Sequence, residues 1–387
     1  MEEIGLSKYS PIPLTKSYTP KNGLKYVSRV LGSGHTGGNG FYTQKCHNWF
    51  KENFGFKNCW LTSSCTDALE MSALLLEIKA GDEVIIPSYN FPSAANAFLL
   101  RGAKVVYISS SACKPNMDIA EFKAAITPKT KAVILLHYAG FADNLSSILS
   151  TAKKHGIAVV EDAAHALGAQ YEDQWLGSFG DIACFSFHQT KNISCGEGGL
   201  IVVNKPELCE KADEIWQMGT NRAAYQRGEV NRYSWKRIGS SFLPSELNAA
   251  LLLANLEHFQ EIQKKRHEVW NRYYQELRGL PKSLIGLPSI PSKNMHSAHI
   301  FYIILPTEKL RNKAIKKLKQ AGVQSAPHYS YLHIEALQQK EIIAFNNSPG
   351  IDFERQLLRL PIYPDLSIAE QKRIISCIHE FVYEIEN

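Results

Sequence analysis

The most constraining feature of the sequence is a regular alternation of short apolar segments with helical patterns between residues 57 and 163. Segments rich in Val and Ile predict strands at 57–62, 83–87, 104–108, 132–137 and 158–161. Helical periodicity separates them, at 66–78, 94–101, 119–126 and 145–155. Because strands joined by helices pair in parallel through right-handed crossovers, the alternation predicts an α/β fold with a buried parallel sheet.

The rest of the chain predicts the completion of this sheet and a second domain. Short strands at 169–171, 182–187 and 200–203 are expected to make the sheet a mixed one. A helical stretch at 244–277 is followed by a strand at 299–305 and helices at 308–321 and 368–385. Since 387 residues are too many for one simple core, we predict a large domain at 1–245. Residues 246–387 would form a long connecting helix and a small α/β domain.

Composition narrows the classes of partner. The net charge is +6, from 43 Lys and Arg against 37 Asp and Glu, which is mild for this length and argues against nucleic-acid binding. No apolar run approaches the roughly 20 residues that cross a bilayer, so we expect no membrane partner. The opening Met1-Glu-Glu-Ile-Gly lacks the apolar core of a signal peptide, and the eight cysteines form no Cys-x-x-Cys pair. We therefore expect reduced thiols, a cytoplasmic protein and no metal-binding residues.

Polar side chains follow most of the predicted strands at the point where each strand ends. They occur in the segments 62–68, 87–91, 137–140, 161–165 and 185–192. Each has an ordinary structural explanation when it is taken alone. Ser64 and Thr66 could cap a helix, Phe91 could be a core aromatic, and Asp162 and Lys191 could form surface or capping contacts. In an open parallel sheet, however, ligands bind beyond the carboxyl ends of the strands.

Taken together, these residues suit a pyridine cofactor that carries an aldehyde and a phosphate. Such a ring needs a carboxylate at its nitrogen, a flat cover for its face, a phosphate cradle and a lysine amine. The groups available, in that order, are Asp162, Phe91, Ser64 and Thr66 with Ser186, and Lys191. Hydroxyl residues at a helix start form an anion site, because free N–H groups and the positive helix end face the phosphate. The combination predicts pyridoxal 5'-phosphate (PLP), with Lys191 as catalytic residue and proton carrier.

The order of these motifs resembles one enzyme family. Ser-x-Thr-x-Ala-Leu at 64–69, Pro-Ser-x-x-Phe at 87–91, His-Tyr-Ala-Gly at 137–140 and Glu-Asp-Ala-Ala-His at 161–165 precede Phe-Ser-Phe-His-x-Thr-Lys-Asn at 185–192. This order is similar to that of the StrS/DegT-type nucleotide-sugar aminotransferases. The resemblance extends from Leu-Gly-Ser-Gly at 31–34 to Leu-Pro-Ile-Tyr at 360–363. The motif at 187–192, with Gly-Glu-Gly-Gly at 196–199 and Gly-Thr-Asn-Arg at 219–222, is most similar to the branch of dTDP-4-amino-4,6-dideoxygalactose transaminases.

This resemblance implies a PLP-dependent transferase fold of type I, with a mostly parallel, seven-stranded mixed sheet and a smaller C-terminal α/β domain. It implies that Lys191 forms the Schiff base, Asp162 pairs with the ring nitrogen, His165 lies beside the ring and Phe91 stacks on it. Ser64, Cys65, Thr66 and Ser186 match the phosphate cradle. The implied substrates are L-glutamate as donor and dTDP-4-keto-6-deoxyglucose as acceptor, bound by a homodimer with shared active sites.

The remaining implied contacts are less closely matched to the family. The substrate-binding residues are His35, Thr36, His188, Asn221, Arg222, Arg232, His328 and Tyr329. For the two arginines, a contact to the substrate diphosphate and a surface ion pair remain equally open. Lys21 or Lys25 could also bind the diphosphate. Gly-Ser-Ser-Phe-Leu at 239–243 departs from the family pattern Gly-Tyr-Asn-Tyr-Arg, so Ser240 or Ser241 replaces the usual contact to the partner's phosphate. Tyr331 stands where the family usually has Pro.

The sequence also suggests four alternative interpretations. Gly-Ser-Gly-His-Thr-Gly at 32–37 matches a dinucleotide fingerprint, but a helical pattern precedes it and Lys57 lies about 20 residues on, where an acid is required. We interpret this segment as an active-site loop. Related sugar dehydratases carry His in place of the lysine, so Lys191 argues against that activity. A PLP-binding sensor without turnover and an aminotransferase for another nucleotide-linked 3- or 4-keto sugar remain open.

Overall fold

The computed structural model describes residues 10–335 and 350–387, so the opening segment Met1-Glu-Glu-Ile-Gly lies outside the described residues. The helices are α1 (Gly23–Ser33), α2 (Phe41–Phe54), α3 (Cys65–Leu75), α4 (Ser93–Leu99), α5 (Ile119–Ala124), α6 (Leu145–His155), α7 (Cys209–Trp216), α8 (Arg222–Gln226), α9 (Glu246–Leu256), α10 (Phe259–Leu277), α11 (Glu308–Gln320), α12 (Leu332–Glu335), α13 (Phe353–Gln356) and α14 (Ile368–Glu386). The strands are β1 (Cys59–Thr62), β2 (Glu83–Pro87), β3 (Lys104–Ile108), β4 (Ser110–Ser111), β5 (Lys114–Met117), β6 (Thr130–Leu136), β7 (Ala158–Asp162), β8 (Gln170–Tyr171), β9 (Gln174–Trp175), β10 (Ile182–Ser186), β11 (Gly199–Val203), β12 (Asn294–Met295), β13 (Phe301–Ile304) and β14 (Leu357–Leu360).

A seven-stranded sheet dominates the fold, in the order β1-β11-β10-β7-β6-β2-β3. Only the two pairs that involve β11 are antiparallel, whereas β10, β7, β6, β2 and β3 pair in parallel. Because β1 and β10 flank the single reversed strand, their carboxyl ends meet at the same edge as those of the parallel strands. The predicted architecture, an α/β fold with a mostly parallel, seven-stranded mixed sheet, is confirmed.

The two faces of this sheet form separate apolar layers. One face, with Leu61, Ile85, Val106, Leu135 and Phe185, packs against α2, α6 and α9. The opposite face, with Val84, Ile86, Val105, Ile134 and Val160, packs against α3, α4 and α7. Each fully buried aliphatic side chain of this kind stabilises the fold by about 1.5–3 kcal/mol, so both layers hold the sheet edge in a fixed position.

The C-terminal elements pack around a third apolar cluster. β13 and β14 form an antiparallel pair that packs with α10, α11 and α14. The chain segment before α1 belongs here as well, since Ile12 is completely buried in the same cluster and its N–H donates to the carbonyl of Gly322 at 2.8 Å. The predicted division at residue 245 stays a prediction. Within the part of the chain that the structure describes, no helix is both long and apolar enough to cross a bilayer.

The predicted single helix at 244–277 is wrong, because α9 and α10 are separated at Glu257 and His258. The Glu257 carboxylate accepts hydrogen bonds from the side chains of Asn22 and Tyr26, which ties this position to α1. The ring of Phe259 packs edge-on against Trp49 and Phe54 of α2. Both helices therefore bury their own apolar faces, a tertiary effect that helical periodicity does not reveal.

The predicted strand at 169–171 also departs from expectation, because it does not join the main sheet. The chain turns at Gly168, whose φ of +81° suits glycine and whose missing Cβ leaves room for Gln263 and Phe259. β8 and β9 then form a two-residue hairpin, with positive φ at both Glu172 and Asp173. β12 completes this separate three-stranded sheet.

Candidate active site

A cavity of about 560 Å³ opens at the carboxyl edge of the main sheet. Its wall includes many of the residues selected from the sequence: Ser64, Cys65, Thr66, Phe91, Asp162, His165, Ser186, His188, Lys191, His328 and Tyr329. Most of them lie at or just after the ends of β1, β2, β7 and β10, which meet at one edge of the sheet, whereas His328 and Tyr329 come from the segment between α11 and α12. This convergence is what binding sites in open α/β sheets require.

Asp162 is the last residue of β7 and is almost completely buried. Its carboxylate accepts a hydrogen bond from the N–H of Ala164 at 3.2 Å, and within residues 10–335 and 350–387 it forms no ion pair. Burial raises the pKa of Asp162, while the Ala164 N–H and the charge of Lys191 act in the opposite direction. A buried carboxylate is stabilised by a cation placed against it. Asp162 is thus suited to a protonated ring nitrogen.

Lys191 lies in the turn that follows β10, and its backbone N–H donates to the carbonyl of His188 at 2.9 Å. Burial lowers the pKa of the Lys191 amine to about 8, although the nearby Cys65 and Asp162 oppose this shift. A lysine with this pKa carries a substantial neutral fraction near physiological pH. The neutral amine is the form that attacks an aldehyde or accepts a proton from carbon.

The start of α3 forms the third part of the site. Ser64 is the N-cap, and its hydroxyl accepts a hydrogen bond from the N–H of Asp67 at 3.0 Å. Thr66 shares a hydrogen bond of 2.7 Å with Ser93, a cavity residue that sequence reasoning missed. Gly199 lies so close to the Ser64 carbonyl that a Cβ would come within 2.4 Å of it, which fixes the loop. An eleven-residue helix that begins here, with hydroxyls around it, suits a phosphate group.

Phe91 forms an exposed part of the cavity wall. Its side chain is 54% exposed, which is unusual for a phenylalanine beside a large apolar core. The N–H of Phe91 donates to the side-chain carbonyl of Asn90 at 2.7 Å, and this bond holds the loop after β2. The ring centroid lies 6.3 Å from that of Tyr329. One ring face is therefore accessible to a planar ligand.

Buried imidazoles and phenols form another part of the cavity wall. The Tyr329 hydroxyl and His165 Nε2 lie 3.2 Å apart, and Tyr138 and His328 make a similar bond of 2.9 Å. The ring centroids of His299 and His165 lie 4.4 Å apart, with the rings tilted by 34°. Burial lowers the pKa of His165, His299 and His328, so these rings stay neutral at physiological pH. These imidazoles and phenols thus offer hydrogen bonds and ring surfaces without charge.

Two further cavity residues were not found by sequence reasoning. His299 lies just before β13, where its Nδ1 is 2.8 Å from the side-chain oxygen of Asn192. Arg359 lies in β14, between the buried Leu358 and Leu360. A charged residue inside an otherwise apolar strand is a signal that could have been noticed, since that strand directly precedes the Leu-Pro-Ile-Tyr motif.

Other residues selected from the sequence do not line this cavity in the protomer. His35, Thr36, Arg222, Arg232 and Ser241 are exposed elsewhere. Asn221 is buried, and its side chain bonds to the backbone of Arg232 at 2.9 Å and of Ser234 at 2.7 Å. It faces a different cavity, of about 920 Å³. Their roles in substrate binding stay predictions.

The Gly-rich segment at 32–37 lies between α1 and α2 and not between a strand and a helix. Its conformation is set by Glu246 of α9, whose N–H donates to the Thr36 carbonyl at 3.1 Å. The buried Glu246 carboxylate accepts from the N–H groups of Gly40, Tyr42 and Thr43 at the start of α2. This arrangement lacks the strand that a dinucleotide fingerprint needs.

Comparisons with known proteins agree with this site. The family model described as the DegT/DnrJ/EryC1/StrS aminotransferase family matches residues 18–379. The spore coat polysaccharide biosynthesis protein SpsC of Bacillus subtilis is 30% identical over 382 residues, which cover 96% of this chain and 97% of SpsC. Among solved structures, DesV of S. venezuelae is 29% identical with a TM-score of 0.83, covering 93% of this chain and 94% of DesV. The aminotransferase TlmJ of Streptoalloteichus hindustanus is 25% identical with a TM-score of 0.87, covering 97% of this chain and all of TlmJ.

The family match spans nearly the whole chain, and it confirms the predicted enzyme class and cofactor. Lys191, Asp162 and the start of α3 fit that cofactor by their chemistry and by their placement in one cavity. The chain belongs to the DegT/DnrJ/EryC1/StrS aminotransferase family, a family of PLP-dependent sugar aminotransferases with the type I fold.

Proposed function

We propose that this protein transfers the amino group of L-glutamate to the C4 keto group of dTDP-4-keto-6-deoxyglucose, giving dTDP-4-amino-4,6-dideoxygalactose. The observation that carries amino transfer is the placement of Lys191 and Asp162 in one cavity with the start of α3. The choice of sugar is supported by the similarity of the motifs at 187–192, 196–199 and 219–222 to one branch of the family. The similarity to a spore coat polysaccharide biosynthesis protein supports an activated sugar as acceptor.

Some residues of the cavity would bind the cofactor, and one would transfer protons. Bound PLP supplies an electron sink for the carbon that loses its proton. Asp162 would hold the ring nitrogen, Phe91 the ring face, and Ser64 with Thr66 the phosphate. Lys191 would move the proton between the substrate carbon and the cofactor carbon in both half-reactions. The neutral aromatic wall would exclude water without adding charge.

The free arginines support a role in binding the diphosphate of the sugar nucleotide. Arg222 and Arg232 form no ion pair within the described part of the chain. Arg227 and Arg237, in the same region, pair with Asp213 and Glu214. The sequence left a surface ion pair and a diphosphate contact equally open for Arg222 and Arg232. Neither of them has a carboxylate partner among residues 10–335 and 350–387, which favours the diphosphate contact.

The predicted homodimer is supported by exposed apolar side chains on and near the segments that carry Arg222 and Arg232. Leu24, Leu31, Trp235 and Ile238 are each at least 60% exposed. The segments 31–40 and 218–243 touch where Gly38 packs against Leu243. Within the second segment, the N–H of Met218 donates to the carbonyl of Ser240 at 3.0 Å. We infer that this surface meets a second subunit and that Arg222, Arg232 and Ser241 reach the partner's cavity.

Subunit complementation tests the shared site. Lys191→Ala and a double variant, Arg222→Ala with Arg232→Ala, are each expected to be inactive alone. When the two chains are co-expressed, about a quarter of wild-type activity should return, because half of the dimers are mixed and each mixed dimer has one intact site. A monomer in light scattering, or no recovered activity in verified mixed dimers, would contradict the shared site.

The lowered pKa of Lys191 predicts how the apo-protein takes up PLP as the pH changes. Only the neutral amine attacks the cofactor aldehyde, so the rate of covalent uptake should rise with pH and level off above about 8. A lysine with an ordinary pKa would show a rate that keeps rising toward about 10. The measurement is the initial absorbance change on mixing apo-protein with PLP, with Lys191→Arg as the unreactive control. A rate that still climbs well above pH 8 would contradict the buried environment of this amine.

The product identifies the acceptor position. NMR of the material formed from dTDP-4-keto-6-deoxyglucose and L-glutamate should show an axial amine at C4. An equatorial C4 amine would mean the opposite face of the same sugar. An amine at C3, or turnover only with a different nucleotide-linked keto sugar, would replace the proposed substrate. No transfer to any keto sugar, with PLP still bound, would instead favour the non-catalytic sensor.

A further inference from the structure

Arg359 stands out in the cavity because its guanidinium has no partner among the residues that the structure describes. The side chain reaches the cavity from β14 and lies on the same wall as His299 and His328. Its Nε is buried without a hydrogen-bond acceptor, and in the described ranges 10–335 and 350–387 the residue forms no ion pair. A buried donor left in this way costs free energy that a bound anion would recover.

The two buried arginines of the described chain, Arg266 and Arg311, do have acceptors. Arg266 donates to the carbonyls of Ala298 and His299, at 3.2 and 2.8 Å. Arg311 donates to the Glu354 carbonyl at 3.2 Å and pairs with Glu308. The N–H of Arg359 donates to the Ala326 carbonyl at 2.9 Å, and its strand β14 pairs with β13. The strand therefore fixes the backbone of Arg359, while its Nε has no acceptor within the described residues.

The charge of Arg359 acts on the group where chemistry takes place. It lowers the pKa of Lys191, together with burial, which is the larger cause. The neighbouring imidazoles of His165, His299 and His328 are kept neutral by burial. Arg359 is thus a cation that lines the same cavity as Lys191, and its charge also acts on His165, His299 and His328. An anion bound in this cavity near Lys191 would be attracted to this guanidinium.

The geometry points to Arg359 as the residue that binds the α-carboxylate of the amino donor. In an α-amino acid, that carboxylate is attached to the carbon that bears the amine, and the amine must come to Lys191. No other anionic group of the donor is held so close to the reacting nitrogen. A guanidinium matches a carboxylate through two parallel hydrogen bonds, which also orients the donor. This inference rests on the proposed amino transfer and specifies the donor as an α-amino acid and not a simple amine.

Three related donors test this assignment in the first half-reaction, followed by absorbance on PLP-loaded enzyme. L-Glutamate has both carboxylates, L-glutamine has only the α-carboxylate, and L-isoglutamine has only the side-chain carboxylate. Arg359→Gln should weaken the apparent affinity for glutamate and glutamine by roughly 10- to 150-fold, as expected for the loss of a charge-assisted bond. Its effect on isoglutamine should stay within about twofold. Arg359→Lys should recover part of the loss, because lysine keeps the positive charge but cannot form the two parallel hydrogen bonds of a guanidinium.

Two controls separate binding from structure. The apparent affinity of the amine-loaded enzyme for the keto sugar should stay within about twofold of wild type in Arg359→Gln. Thermal unfolding should occur at a temperature close to that of wild type, because the Arg359 side chain forms no ion pair and its Nε no hydrogen bond within the described residues. Equal losses with all three donors, together with a lower melting temperature, would overturn the assignment in favour of a structural role.

Two other outcomes would also overturn it. A loss with isoglutamine but not with glutamine would place the side-chain carboxylate at Arg359, and a weaker interaction with the keto sugar alone would place its diphosphate there. A wrong choice of sugar would leave the first half-reaction fully measurable. Failure of the proposed acceptor and failure of this donor contact can therefore be told apart.

Discussion

Lys191→Ala is expected to abolish amino transfer, with a loss well beyond the roughly 10²- to 10⁴-fold effect of a single acid–base group. The amine serves both as the covalent anchor of the cofactor and as the proton carrier in each half-reaction, so no remaining group replaces both roles. Burial lowers its pKa to about 8, against the opposing effect of Cys65 and Asp162, and makes it suitable for the second role. The measurement is product formation from L-glutamate and the keto sugar under saturating conditions.

Lys191→Arg separates charge from nucleophilicity, because it keeps a cation at this position but cannot attack the aldehyde or take a proton. It should be as inactive as the alanine variant. Lys205→Ala is a matched control, since Lys205 lies at the opposite end of the sheet and pairs with Asp181 at 3.0 Å. That variant should keep near-wild-type turnover. Substantial activity in Lys191→Ala would show that another residue carries the chemistry.

Asp162→Asn should lower kcat by at least about 10²-fold, the size expected when one electrostatic contact to the reacting system is lost. The amide still offers an oxygen to the Ala164 N–H, so the loop after β7 should be preserved. What is lost is the negative charge that keeps the ring nitrogen of the cofactor protonated. Turnover and thermal unfolding should be measured together, and only turnover should change markedly.

Asp181→Asn provides the matched control for this substitution. Asp181 precedes β10 and accepts the N–H of Val159 at 2.7 Å, so it occupies the amino ends of the same two strands whose carboxyl ends hold the site. Its replacement is expected to affect stability more than kcat. Wild-type kcat in Asp162→Asn would mean that a different group serves the ring nitrogen.

The sequence was sufficient to predict the main sheet, because buried parallel strands leave a local record in short Val- and Ile-rich runs. The cavity residues that follow those strands could be selected for the same reason, since each lies within a few residues of a strand end. The break between α9 and α10 could not be predicted, because both helices are apolar on one face and the interruption depends on contacts of Glu257 with α1. The hairpin after β8 was missed because Glu172 and Asp173 lack the Asn-Gly signal of such turns.

Arg359 and His299 illustrate a different limit. They enter the cavity from β14 and from the residues just before β13, more than 100 residues beyond Lys191. Their position depends on how the C-terminal elements pack, which no local pattern encodes. His35, Arg222 and Arg232 pose the related difficulty that their predicted contacts involve a second subunit. Sequence similarity could suggest these substrate-binding roles. Because the structure contains a single protomer, they stay predictions.

The most direct test of the central claim is to locate the covalent bond between protein and cofactor. The PLP-loaded protein is reduced with borohydride and digested, and the modified peptide is identified by mass spectrometry. We expect the phosphopyridoxyl label on Lys191, within the segment that follows β10, and no such label in Lys191→Arg. A label on any other lysine, or a wild-type protein that binds PLP without becoming labelled, would contradict the account.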